Sequence, residues 1–344
     1  MSQVTSAVPD DAAKSRPPAR RPKRKLFNLS EGGGAPILVA PTLILLAVVI
    51  GYPVVRAVWM SFQKDPGLDK ATGLFVSGGF AGISNYTHWL LQQCSTVGGG
   101  TSACPSGSLG AEFWTAMFNT VFFTVVSVAI EIVLGLWFAI VMNREFRGRG
   151  LLRAAVLIPW AIPTAVTAKL FFFIFAFSGV ANKLFHTSII WGGGEWSSRF
   201  AVIAGDVWKT TPFMALLILA GLQVIPDEVY EAAKVDGATT WQRFTQVTLP
   251  LVRPALMVAI LFRTLDVLRI FDLPYILTGG GGGNGDATTT LSILVINQIR
   301  QGFNSAAALS TITFVFIFLV AFIFVKFLGA NVVQTQENQQ KAAR

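Results

Sequence analysis

The sequence predicts an all-α integral membrane protein: six transmembrane helices, both termini on the cytoplasmic side, and a short cytoplasmic helix hairpin between the fourth and fifth spans. Three observations lead there. Composition is the first: 53% of the residues are hydrophobic and only 13% charged, with a mean hydropathy of +0.58, far from the balance of a soluble domain. The second is six apolar runs, near Pro36–Met60, Phe113–Met142, Arg153–Phe177, Phe200–Leu222, Leu251–Asp272 and Ala306–Leu328, each long enough for the roughly 20 residues that cross a ~30 Å hydrocarbon core. The third is the placement of Lys and Arg, which stay on the cytoplasmic side. With the N-terminus inside, seventeen fall in cytoplasmic segments and five in external ones. This asymmetry accounts for the net charge of +9 without a nucleic-acid partner.

In chain order, residues 1–30 are rich in Pro, Arg, Ser and Ala and lack the apolar surface needed to pack, so a disordered basic tail is expected. It sets topology and can touch anionic lipid. It is a poor signal peptide, because Pro36–Met60 is too long for a cleaved apolar core and no Ala-x-Ala-like site closes it. The six-span membrane body is expected over 31–330, with an external loop at 61–112 and a cytoplasmic tail at 331–344. Cys94 and Cys104 share that external loop; in an oxidising compartment they form a disulfide, otherwise two free thiols. A metal site there lacks ligands, with only His88 nearby.

The second run exceeds a bilayer's need and should tilt. The fourth carries Asp-Val-Trp-Lys-Thr-Thr-Pro-Phe at 206–213, where Pro212 removes a donor and predicts a kink. Between the fourth and fifth runs, 223–250 reads as helix, turn, helix. Pro226, Asp227 and Glu228 suit a first turn, Gly237 a stop, and Thr239 or Thr240 caps a second short helix that ends before Pro250. The hairpin shows small residues, Ala232, Ala233 and Ala238, beside Glu231 and Asp236. Small side chains admit another backbone and carboxylates pair with its basic groups, which describes a docking element.

The stretch Glu-Ala-Ala-Lys-Val-Asp-Gly-Ala-Thr-Thr-Trp-Gln-Arg-Phe-Thr-Gln-Val-Thr-Leu-Pro at 231–250 resembles the EAA signature of permease subunits in binding-protein-dependent ABC importers. It has Glu231-Ala232-Ala233, Gly237 three residues after Lys234, and Val247-x-Leu249-Pro250, with Val247 in place of the more usual Ile. The likeness continues through Phe-Asn-Thr-Val at 118–121, Leu-Ile-Pro-Trp at 157–160 and Phe-Asp-Leu-Pro-Tyr at 271–275, and is similar to the maltose, glycerol-3-phosphate and trehalose branch of carbohydrate permeases. The resemblance implies a second six-span permease subunit, two ATPase subunits that hold ATP and Mg, and an external sugar-binding (lipo)protein docked on loops 61–112, 178–199 and 273–305. It implies a disaccharide substrate, trehalose first, with maltose-type sugars or glycerol-3-phosphate as alternatives, and a bacterial cytoplasmic membrane. It also assigns ATPase coupling to Glu231, Ala232, Ala233, Asp236, Gly237, Ala238, Leu249 and Pro250. No catalytic residue, metal or cofactor is expected in the chain, which has no G-x-x-x-x-G-K-[ST]. The run Gly279–Gly283 lacks the Lys and reads as a flexible loop.

The competing class is an ion-coupled secondary transporter, whose mark would be charges deep in spans. Such charges exist: Glu131, Lys169, Asp206 and Lys209, then Arg263, Asp266, Arg269 and Asp272 at every third position of the fifth run. This last set reads either as a sugar-path lining or as a structural ion-pair ladder. Further path candidates are Asn119, polar inside the second run, and the aromatics Trp160, Phe172 and Trp208.

Overall fold

The computed structural model describes residues 35–68, 74–96, 100–279 and 286–342. The tail expected at 1–30 and Gly280–Gly283 of the glycine run lie outside the described residues. The chain falls into two units, 1–53 and 54–344. The described part of the first is helical, with Ala35–Leu46 followed by a π-turn at Ala47–Gly51.

By length and composition, five helices among the described residues can cross a membrane: Val39–Ser61, Leu109–Asn143, Glu195–Leu222, Thr240–Val267 and Phe303–Lys326. A sixth span results if Arg149–Ala161 and Thr164–Ile174, which meet at 92°, count as one. A straight third helix over Arg153–Phe177 is therefore corrected. Pro163 forces the residue before it out of the helical region, and Ile162 is extended at φ −74°, ψ 132°. Its carbonyl, released from the helix ladder, accepts a hydrogen bond of 2.5 Å from Lys209 Nζ.

The fifth span also departs from expectation at both ends. The second hairpin helix does not stop before Pro250; Thr240–Gln242, a π-turn Arg243–Thr248 and Leu249–Val267 follow without interruption. At the other end the helix closes at Val267, and Asp272–Leu277 is a separate short helix. Both π-turns end two residues before a proline, Pro53 and Pro250. A proline cannot donate to the carbonyl four residues back and its ring crowds that carbonyl. The residue before each, Tyr52 or Leu249, donates five residues back instead, to Ala47 or Phe244, and the wider turn relieves the clash. Pro212, by contrast, is absorbed within one continuous helix, Glu195–Leu222.

Within the second unit the core lies between Phe113–Asn143, Glu195–Leu222 and Leu249–Val267, around Phe123, Met214, Ile218, Val252 and Ala259, all fully buried. Small residues bring these helices together: a Cβ on Gly135 would lie 2.8 Å from Met214 Cγ, and one on Gly221 would lie 2.3 Å from the Ala255 Cβ. Outside this core, Phe314, Phe318 and Phe322 stack along the exposed side of the Phe303–Ala342 helix, the pattern of a lipid-facing surface.

The segment 61–112 is tied to the start of that last helix. Asp65 accepts from the backbone N–H of Asn304 (2.5 Å) and of Ser305 (2.9 Å), supplying the carboxylate that an N-terminus favours from 239 residues away. Buried Trp89 donates its indole N–H to Ser305 O at 3.0 Å. The antiparallel pair Gln93–Ser95 and Thr101–Ala103 carries a disulfide between Cys94 and Cys104, against which His88 packs.

Candidate functional site

Helix Asp227–Val235 begins after Pro226, whose extended backbone (φ −63°, ψ 142°) turns the chain in, and Asp227 and Glu228 fill its first turn. It ends in a Schellman closure. Ala238 N–H donates to Ala233 O (3.0 Å) and Gly237 N–H to Lys234 O (3.1 Å), with Gly237 at φ +75°. A Cβ at 237 meets nothing within 4 Å, so the requirement for glycine is conformational rather than steric. Thr239 starts the next helix with a capping box: Gln242 N–H donates to Thr239 Oγ1 (3.3 Å) while Thr239 N–H donates to Gln242 Oε1 (2.8 Å). Backbone demand is thus met inside the hairpin, and its outer side chains are left open. Glu231, Ala232, Asp236 and Gly237 are exposed, and Val235 is 88% exposed. Ala233, Ala238 and Leu249 are half-buried and Pro250 is exposed.

The intramembrane charges gather around Arg263, which is 2% exposed. It donates to both Glu131 oxygens, Nε at 2.6 Å and Nη2 at 3.0 Å, to Asp206, and through Nη1 to Asp266 at 2.5 Å. Thr210 Oγ1 donates to Glu131 Oε1 at 2.6 Å. Three helices supply the carboxylates. Of the two readings of the fifth run, this departs from the i, i+3 ladder: the helix ends at Val267, Arg269 is exposed and among the described residues bonds the Leu265 carbonyl (3.1 Å), while Asp272 starts the next helix. Only Arg263 and Asp266 keep the i, i+3 relation. A cavity of about 140 Å³ opens beside the cluster, lined by Asp206, Lys209, Thr210, Asp266, Arg269 and Asp272 among others. Asp206, Lys209 and Thr210 stand outside the site residues that the sequence points to. Their spacing of 3 and 4 on one helix, facing an Arg on another, was the available signal.

Asn119 is fully buried as a clamp. Its amide donates to the Asp286 and Thr289 carbonyls (2.8 and 3.0 Å), and its oxygen accepts from Arg199 Nη2 at 3.0 Å. Arg199, expected in an external segment, is buried between Glu195 and the rings of Phe122 and Trp196. Trp208, against Phe171, lines an apolar groove of about 500 Å³ with Phe138, Pro159 and Pro212. Trp160 stacks on Phe213 and Phe172 lies beneath Lys169. None of these three aromatics lines the charged cavity.

Helices able to cross a membrane, a cluster of buried charges among three of them and an exposed, self-closed hairpin are the features that a family assignment has to accommodate. The family model of the binding-protein-dependent transport system inner membrane component matches residues 131–334, and the chain belongs to that family. It is 39% identical over 296 residues to the trehalose/maltose transport system permease protein MalF of Thermococcus litoralis, covering 84% of this chain and 92% of that protein. It is 40% identical over 298 residues to the trehalose transport system permease protein SugA of Mycobacterium tuberculosis, covering 86% and 88%. In fold it is similar to a bacterial ABC transporter involved in the import of the acidic polysaccharide alginate, with a TM-score of 0.66 at 21% identity over 87% of this chain and 94% of that one. Membership settles the competing class: this is a permease subunit of an ABC importer, without an ATPase site of its own, and hydrolysis takes place in partner subunits.

Proposed function

We propose that this chain forms half of the translocation path of a disaccharide importer, with trehalose as the first substrate, in a bacterial cytoplasmic membrane. The bent pair Arg149–Ala161 and Thr164–Ile174 serves as the third of six spans, both termini are cytoplasmic, and the hairpin at 227–250 is the coupling element. Its partners are a second six-span permease, two ATPase subunits that bind ATP and Mg, and an external sugar-binding protein. The observation that carries this reading is the hairpin itself. Its backbone is closed by its own caps, and Glu231, Ala232 and Asp236 are exposed on its surface. The relatives named for trehalose support the substrate.

The sugar passes the charged cavity, on the reading that the Asp266 side chain, 66% exposed within a span, meets a water-filled path and not lipid. Carboxylates and guanidinium groups there exchange partners with sugar hydroxyls. The test is uptake of labelled trehalose by vesicles containing the assembled importer. Glu231→Lys and Gly237→Asp should abolish uptake and leave the amount of inserted chain unchanged; wild-type uptake in either would remove the coupling role. Lack of uptake of any disaccharide by the wild type would remove the substrate.

A further inference from the structure

Behind the hairpin lies a cavity of about 550 Å³ that the reading above does not use. One wall is the end of the Phe113–Asn143 helix with Asn143 and Arg144; the other is the hairpin's inner side. Asp227, Tyr230 and Lys234 line it at i, i+3 and i+7, one stripe of their helix, whereas Glu228, Glu231, Ala232 and Val235 occupy the adjoining stripe. Charge is sorted between the two. The outer stripe holds carboxylates, while the cavity holds Arg144, Lys234 and Arg243 against Asp227 alone.

None of these three cations is in an ion pair among the described residues. Arg243 Nε is buried without a hydrogen-bond partner, although Nη2 donates to Thr240 Oγ1 at 3.2 Å. Arg153, which holds the Met142 carbonyl one residue from the cavity wall (2.9 Å), also has a buried Nε without a partner. A buried guanidinium N–H lacking an acceptor is costly, and a group with several acceptor oxygens and negative charge removes that cost at a stroke.

We propose that this cavity binds a phosphate-bearing anion, held by Arg144, Lys234 and Arg243, with the Tyr230 and Thr240 hydroxyls as further donors. Two sources share this chemistry: the headgroup of an anionic phospholipid at the membrane surface and a free phosphate compound of the cytoplasm. Either braces the hairpin against the end of a membrane helix. The inference stands on the cavity alone and does not need the ATPase to dock on the outer stripe.

The test uses the full-length chain purified with its partner subunits, its melting temperature followed by tryptophan fluorescence. Inorganic phosphate is titrated in detergent at ionic strength held constant with chloride, and the same complex is then melted in nanodiscs of phosphatidylcholine with and without phosphatidylglycerol. Occupancy raises the melting temperature. Arg243→Gln and Lys234→Gln should each weaken the response about tenfold in ligand concentration; should the first variant fail to fold, the exposed Lys234 carries the comparison. Phosphate also enters ATPase sites and stabilises proteins generally, so the variants decide. A variant-sensitive response to inorganic phosphate identifies a soluble anion, and one to phosphatidylglycerol alone identifies the lipid headgroup. No response to either, or responses that the variants leave unchanged, overturns the proposal.

Discussion

The hairpin at 227–250 and the cluster around Arg263 both concentrate charge, and they treat it in opposite ways. In the hairpin, hydrogen bonds join residues three to five apart and the carboxylates are left in solvent. Around Arg263 the carboxylates come from positions as far as 132 residues away and every guanidinium nitrogen has one. A charge satisfied within the chain supports the frame; a charge left outside a rigid, self-capped element is available to something else. Altering the hairpin should therefore lower transport with little change in stability, whereas altering the cluster should lower both.

Arg263→Ala should have the largest effect on stability. It leaves Glu131 and Asp206 buried without a cation, which costs about 3–5 kcal/mol when a buried pair is broken, and should appear as loss of a monodisperse peak in detergent. Asp65→Ala should come next, at about 1–2 kcal/mol, the range for a lost helix cap, read as a lower melting temperature that Asp65→Asn partly restores. Thr239→Ala removes an exposed cap and should cost about 1 kcal/mol, with amide exchange quickening in 239–243 and not around Arg263. Glu231→Gln should move stability least, within about 0.5 kcal/mol as for other surface changes, and yet reduce trehalose uptake severely. A large melting shift in Glu231→Gln, or a stable and active Arg263→Ala, would break the contrast.

What was legible in the sequence follows the same division. Pro226, Gly237 and Thr239 announce the hairpin because each solves a local backbone problem that its neighbours pose, and the apolar runs announce spans because a bilayer demands length. A full ladder from Arg263 to Asp272, one of the two readings, does not form because a spacing of three implies a shared face only while the helix lasts, and no glycine or proline marks its end at Val267. Arg263 instead found Glu131 and Asp206, partners that only packing brings near. The 92° bend has a visible cause in Pro163, but a proline in an apolar run permits absorption as well as a break, and Pro212 is absorbed within one helix. Asn119, a path candidate by its polarity inside the second run, is instead held as a clamp, and its partners, Arg199 and the carbonyls of Asp286 and Thr289, come from beyond any local window.

The uninterrupted run from Thr240 to Val267 has a mechanical meaning. It is a single shaft, with the hairpin at one end and Arg263 near the other, about 35 Å apart at ~1.5 Å per residue. Swinging such a shaft by about 10° about its hairpin end carries the far end roughly 6 Å, more than the reach of a hydrogen bond. Leverage of this kind would let a modest push at the membrane surface exchange the partners of a guanidinium deep inside, with the wide turn before Pro250 as the most compliant point along its length.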